Sequence, residues 1–204
     1  IREHRFPFLK KVGDWNRFNK NTGGTLVEKC CHFFDLMCIA ASSEPRQVFA
    51  SGSQSVNHLD ESYGGLTPDI LDNAFVVVDF ENGVRAHLDL CMFAEASKNE
   101  QEICVVGDLG KVEALVSEST IRVGLRTQGV GSFDEFAVSG ASPYAGFHHG
   151  ASYEEHVRLH ESIRLRRKPE VSLRDGLRSV AIGVAAQISI ADNRVVSISE
   201  VMGI

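Results

Sequence analysis

The residues from Gly23 to Met37 combine acid–base groups with the start of a predicted helix. They read GGTLVEKCCHFFDLM, in which Glu28 precedes His32 by four residues and Asp35 follows it by three. Residues at these spacings lie on one face of an α-helix. A carboxylate beside an imidazole orients the ring and tunes its acidity, as general acid–base catalysis requires. The spacing fits a structural interpretation equally: Glu28 caps the helix, His32 packs in the core and Asp35 is solvated.

Two cysteines in the same stretch raise the alternative of a metal or redox site. Cys30 and Cys31 are adjacent, and adjacent helical residues point about 100° apart, so they cannot chelate one ion together. The C-x-x-C spacing of zinc sites is absent, and we therefore interpret the thiols as buried structural groups. His156 and His160 are four apart but lack the glutamate of zinc-protease helices. The sequence therefore predicts no metal site.

The composition excludes several functional classes. The 204 residues suffice for one domain with its own core. A net charge of −6 provides no basic field for nucleic acid, and the apolar runs are too short to span a bilayer. The five cysteines are odd in number, unlike a secreted disulfide framework. We therefore expect a cytoplasmic protein with no nucleic-acid or membrane partner.

Known glycine motifs are also missing from the sequence. No G-x-G-x-x-G lies between a strand and a helix, so we expect no cofactor-binding residues for a dinucleotide in this chain. No G-x-S-x-G is present either, which gives no support to a serine hydrolase.

Hydrophobic periodicity predicts how the elements follow one another. We predict an extended arm or loop over residues 1–21, then one helix over 24–41 that starts with a capping box of Thr25 and Glu28. Ser152 with Glu155 forms a second predicted capping box, and Ser172 begins the last long helix. The predicted β segments are 47–56, a hairpin over 73–93 with an Asn82-Gly83 turn, a hairpin over 101–117, and strands at 119–125, 133–138 and 195–198. The fold class is therefore α+β: a large open, mostly antiparallel sheet with helices packed on one face.

Four stretches, in this order, resemble a known family. They are TGGTLVEKCCHFFDLM, NAFVVVDFENGVRAHLDL, EICVVGDLGKVEA and KPEVSLRDGLRSVAIGVAAQISIADNRVVSI. Together they resemble the C-terminal domain of the Gfo/Idh/MocA oxidoreductases, the glucose–fructose oxidoreductase and inositol dehydrogenase group, over nearly the whole chain. The resemblance implies that residues 1–204 form a single domain, the substrate-binding and oligomerisation half of a two-domain oxidoreductase. The N-terminal Rossmann domain, absent from this chain, would bind NAD or NADP and supply a catalytic lysine from a Glu-Lys-Pro motif.

The resemblance also implies roles for individual residues. His32 matches the family's catalytic histidine, and Glu28 matches the acid four residues before it. That acid is usually Asp in the family, and Glu is one methylene longer, which changes its reach toward a substrate hydroxyl. We further predict six residues that contact the substrate: Lys29, Asp35, Trp15, Arg17, Tyr63 and His148.

The resemblance implies an NAD(P)-dependent dehydrogenase acting on a secondary alcohol of a polyol, sugar or inositol-like substrate. This chain alone should be inactive, and it should form a homo-oligomer through the open face of its sheet. Two alternatives stay open: a non-catalytic sheet module for oligomerisation or partner binding, and a metal hydrolase.

Overall fold

The computed structural model describes residues 1–116, 118–138, 148 and 150–203. The sequence predicts a loop over residues 139–150, but most of this segment, including His149, lies outside the described residues. Among those described, the strands are β1 (Arg2–His4), β2 (Pro45–Ser53), β3 (Asn73–Phe80), β4 (Arg85–Cys91), β5 (Gln101–Val106), β6 (Gly110–Val116), β7 (Thr120–Leu125), β8 (Asp134–Ala137) and β9 (Val196–Ser197). The helices are α1 (Asn19–Thr22), α2 (Thr25–Glu28), α3 (Cys31–Ala41), α4 (Ala151–Arg164), α5 (Leu173–Asp192) and α6 (Ile198–Met202). Short 3₁₀ helices cover Val12–Arg17 and Arg126–Gln128.

These strands form one nine-stranded open sheet in the order β8-β7-β6-β5-β1-β4-β3-β2-β9. Only the β1–β4 pair is parallel among the described strands, and the other neighbours run antiparallel. The two predicted hairpins, β3–β4 and β5–β6, are confirmed. The predicted α+β class with a mostly antiparallel sheet is therefore confirmed.

One face of this sheet carries the helices and the hydrophobic core. Along β3 the residues alternate: Val76 and Val78 are buried, whereas Phe75 is 63% exposed on the opposite face. Phe34 of α3 and Ile182 of α5 belong to the same buried cluster as the two valines. This alternation shows that the helices cover one face and leave the other open. No helix in the described part of the chain is long and apolar enough to cross a membrane.

The prediction of an extended arm or loop over residues 1–21 is wrong at Val12–Arg17 and Asn19–Thr22, which form short helices, and at residues 2–4. This segment forms β1, which lies between β4 and β5 and joins the two halves of the sheet. Glu3, its middle residue, pairs with Leu90 of β4 and faces the core side, where it is completely buried. Three residues are too few to show the alternation that identifies a strand in a sequence.

The prediction of one continuous helix over 24–41 is also wrong. The helix ends at Glu28 and restarts at Cys31, and the Thr25 carbonyl accepts from both the Lys29 and Cys30 amides. Gly24, at φ 91°, occupies the N-cap position. The predicted capping box does not form, because the Thr25 hydroxyl donates instead to the Leu71 carbonyl at 2.6 Å. Tertiary contacts thus replace the local capping bonds.

Two further local predictions are wrong. The Ser152–Glu155 capping box does not form, because α4 begins two residues earlier than predicted, with Gly150 as its N-cap. The Asn82-Gly83 turn joins β3 and β4 as predicted, but the positive φ values expected at both residues of an Asn-Gly turn occur only at Gly83; the Asn82 side chain instead accepts from the Val84 amide at 3.2 Å. The predicted start of α5 is correct: Ser172 is the N-cap and forms a capping box with Asp175.

Candidate active-site cleft

A half-open cleft of about 1130 Å³ lies where the segment after β1 meets the helices. Its walls come from residues 5–9, the α2–α3 junction, the first turn of α4 and the start of α5. Five of the predicted site residues line it: Glu28, Lys29, His32, Asp35 and His148. The interruption between α2 and α3 therefore does not separate the acid from the imidazole. Both remain on the wall of one cleft.

Glu28 is held at the cleft wall by a lysine from the preceding segment. Lys11 Nζ lies 2.6 Å from Glu28 Oε1. The same ammonium sits 4.8 Å from the centre of the Trp15 ring, a distance typical of a cation–π contact. Trp15 does not line the cleft; it contacts Lys11, which does. The contact with Lys11 fixes the position of Glu28 and leaves its second oxygen, Oε2, available as a hydrogen-bond acceptor.

Lys29 reaches into the cleft from the α2–α3 junction. Its ammonium lies 2.7 Å from Glu3 Oε1, and its side chain is only 13% exposed. The Phe8 ring, which also lines the cleft, is 5.9 Å from the same nitrogen. The cleft therefore contains a cationic donor in addition to the carboxylate of Glu28 and the imidazole of His32.

His32 and Asp35 lie on successive turns at the start of α3. The His32 side chain is exposed and Asp35 is partly buried. Burial raises the pKa of Asp35, and the Asp175 carboxylate raises it further, against the opposing effects of Arg178 and His32. Asp35 thus holds a proton more readily than an ordinary surface aspartate. An exposed imidazole beside such a carboxyl can take a proton from a ligand in the cleft.

Arg17 and Tyr63, also predicted to contact the substrate, do not line the cleft. Both bind Glu61 Oε2, Arg17 through Nε at 2.8 Å and Tyr63 through its hydroxyl at 2.8 Å. His58 Nδ1 lies 2.8 Å from the other oxygen of the same carboxylate. Burial opposes ionisation of Glu61, but these hydrogen bonds outweigh it and lower its pKa to about 2. Arg17 also donates to the Phe8 carbonyl at 3.2 Å, so it supports the cleft wall from behind.

The thiols divide into buried and accessible groups. Cys30 is buried as predicted, and Cys38 is buried too. Cys31 is only half-buried and lines the cleft, so the interpretation as a buried structural thiol is wrong for Cys31. Cys104 is exposed. Burial raises the pKa of the Cys31 thiol, which keeps it protonated. Among the described residues, no three His, Cys, Asp or Glu side chains group closely enough to hold a metal ion.

Sequence patterns missed several residues of the cleft wall. Arg5, Phe8 and Lys11 follow the short strand β1, and Glu100 precedes β5. The only available signal was their residue types: basic and aromatic side chains clustered near the start of the chain. Their spacing follows no regular period, so only the path of the chain after β1 brings them to the cleft.

Comparisons with known proteins agree with this fold. The Gfo/Idh/MocA family model, described as an oxidoreductase family, C-terminal alpha/beta domain, matches residues 1–198. A myo-inositol 2-dehydrogenase of Thermotoga maritima is 29% identical over 187 residues, covering 89% of this chain and 51% of that protein.

Two solved structures share the fold. An aldose-aldose oxidoreductase from Caulobacter crescentus, complexed with glycerol, superposes with a TM-score of 0.70 at 20% identity, covering 96% of this chain and 52% of that one. An NAD binding oxidoreductase from Klebsiella pneumoniae gives 0.73 at 15% identity, covering 97% and 57%. The chain spans about half the length of the curated relatives it matches. It belongs to the Gfo/Idh/MocA oxidoreductase family, as that family's C-terminal α/β domain.

Proposed function

We propose that this chain is the substrate-binding half of an NAD(P)-dependent dehydrogenase that oxidises a secondary alcohol of a polyol, sugar or inositol-like substrate. One observation carries the proposal: His32 lines a large cleft together with Glu28, Lys29 and Asp35. The family resemblance assigns the catalytic imidazole to this same position. The 2-dehydrogenase relative acts on myo-inositol, and the cleft chemistry suits a ligand of that type.

A polyhydroxylated ligand both donates and accepts hydrogen bonds, and the cleft offers both kinds of partner. Glu28 can accept from a hydroxyl with its free oxygen, while Lys29 can donate to one. His32 takes the proton of the reacting hydroxyl, a contribution typically worth about 10²–10⁴-fold in rate. That corresponds to about 3–5 kcal/mol of activation barrier.

A nicotinamide cofactor would accept the hydride that leaves the carbon as its hydroxyl loses a proton. The sequence contains no G-x-G-x-x-G motif between a strand and a helix, the motif that binds a dinucleotide in a Rossmann domain. We therefore assign the dinucleotide mainly to a separate Rossmann half, and expect residues 1–204 alone to be inactive.

We further propose that the open face of the sheet forms the homo-oligomer contact. Phe49, Phe75 and Val77 lie on that face and are 42%, 63% and 42% exposed. Exposed apolar clusters of this kind mark protein interfaces. Phe75→Asp should convert the oligomer to monomer in analytical ultracentrifugation, and an unchanged mass would contradict this use of the face.

The same face also suits the second candidate, a non-catalytic module for oligomerisation or partner binding. Replacing His32 in the full-length protein distinguishes the two. His32→Ala should lower kcat by about a hundredfold or more without changing the melting temperature. His160→Ala is the matched control, because His160 is likewise exposed on a helix but does not line the cleft. Unchanged turnover in His32→Ala would remove His32 from the mechanism.

A further inference from the structure

The middle residue of β1 is a carboxylate in the hydrophobic interior. Glu3 is 0% exposed and belongs to the strand that joins the two halves of the sheet. Lys29 Nζ is 2.7 Å from its Oε1, and Arg5 Nη1 is 3.6 Å away. Within the part of the chain that the structure describes, no group donates a well-aligned hydrogen bond to either oxygen. The carboxylate of Glu3 therefore has two cationic side chains beside it but lacks well-aligned hydrogen bonds.

A buried carboxylate of this kind contributes little net stability to the fold. Removing a carboxylate from water is expensive, and a buried ion pair recovers that cost only when hydrogen bonds satisfy its remaining lone pairs. An apolar side chain would pack against the core face of the sheet at least as well. We therefore look for the role of Glu3 in the effect of its charge on Lys29 and Arg5.

Those partners face the cleft. Lys29 and Arg5 both line it, whereas Glu3 lies behind them. Arg5 is shared between two carboxylates, since its Nη2 also lies 3.5 Å from Glu100 Oε2. Lys29 has the shorter ion pair with Glu3, so the buried carboxylate fixes one ammonium at the cleft wall. An ammonium has three N–H donors, so one ion pair leaves donors for a ligand.

We propose that Glu3 is a positioning residue that holds Lys29 in place to donate a hydrogen bond to a hydroxyl oxygen of a polyhydroxylated substrate. The proposal rests on the proposed function for its substrate class. Lys29 then supplies a donor that complements the acceptor oxygen of Glu28, and Glu3 acts only through Lys29. Their ion pair links β1 directly to the α2–α3 junction.

The test is a double-mutant cycle in the full-length protein with Glu3→Gln, Lys29→Met and both changes together. Loss of a charged hydrogen bond to a ligand should raise the KM for the polyol by about ten- to a hundredfold in Lys29→Met, with a smaller effect on kcat. Glu3→Gln should raise KM in the same direction but add nothing in the Lys29→Met background. Lys29→Arg should retain more affinity than Lys29→Met. Glu200→Gln, which removes an exposed carboxylate paired with Arg194, is the neutral control.

A second readout needs no substrate. Modification of Lys29 by an amine-reactive ester, followed by mass spectrometry, should be faster in Glu3→Gln than in the wild type. Equal modification rates would overturn the positioning role, and so would an equal loss of kcat/KM from Glu3→Gln in both backgrounds. If Glu3→Gln does not fold, equal KM values for Lys29→Arg and Lys29→Met overturn the role of Lys29. A wild-type protein that oxidises no polyol overturns the proposed function itself, which the modification rates do not depend on.

Discussion

Gly183 sets how closely α5 approaches the helix that carries Glu28. A Cβ at this position would lie 2.5 Å from the Leu26 carbonyl oxygen and 3.2 Å from the Val27 Cα. Ordinary van der Waals contact begins at 3.4 Å, so Gly183→Ala must push α2 away by close to an ångström. Both atoms belong to backbone, which cannot rotate aside as a side chain would.

The same helix provides a matched control at Gly176, where an added Cβ meets nothing within 4 Å. Gly→Ala in a helix interior gains about 1 kcal/mol from propensity. Gly183→Ala adds an overpacking cost of about 1–3 kcal/mol. We therefore expect Gly176→Ala to stabilise the protein and Gly183→Ala to destabilise it, with free energies of unfolding that differ by about 1–3 kcal/mol.

Thermal unfolding of the full-length protein measures the two variants side by side. The displaced α2 should also lower kcat/KM in Gly183→Ala, since a misplacement of about 1 Å in an active site can cost up to about a hundredfold. If both variants raise the melting temperature equally, the close α2–α5 contact does not exist in solution. The account of how Glu28 is positioned would then be wrong.

Three other predictions address two hydrogen-bonded carboxylates, Asp72 and Glu61, and the thiols. Asp72→Ala should destabilise the protein by about 3 kcal/mol, because the amides of residues 55–57 lose a charged acceptor; an unchanged urea midpoint would contradict it. The folded pKa of Glu61 is about 2, below its unfolded value of 4.5, so its contribution is complete above pH 4.5 and is lost as pH falls toward 2. Glu61→Gln should flatten the acid limb of the stability curve, and parallel limbs would refute this. Cys104 should react with a thiol reagent in the native protein and Cys30 only after unfolding; equal rates in mass spectrometry would contradict the burial of Cys30.

Local alternation made the hairpins predictable. In β3 and β4 every second residue is apolar and lies on the core side of the sheet. Strands of this length show enough alternation to be identified from the sequence alone. β1 has three residues, and its parallel pairing with β4 joins segments more than 80 residues apart. No local pattern encodes such a contact, so the strand and its buried Glu3 were missed.

The spacing of residues along the helix predicted which side chains share one wall of the cleft. Glu28, His32 and Asp35 were identified from one helical stripe and do line one cleft, although the helix is interrupted between the first two. The interruption occurs beside a hydrogen bond from the Thr25 hydroxyl to the Leu71 carbonyl, a tertiary contact that helix propensity does not reveal. Arg17 was predicted to contact the substrate because of its residue type, but its guanidinium donates to Glu61 instead. Residue type shows what a side chain can do, and only the fold shows which partner it has.

The proposed dehydrogenase activity is tested most directly by a substrate screen of the full-length protein with NAD⁺ and NADP⁺ against polyols, sugars and inositols. The wild type should reduce one of the two cofactors with at least one of these alcohols, and His32→Ala should lose that activity while keeping its melting temperature. Cofactor reduction that is insensitive to the His32 substitution would contradict the account. So would a folded protein that reduces neither cofactor with any polyol or sugar.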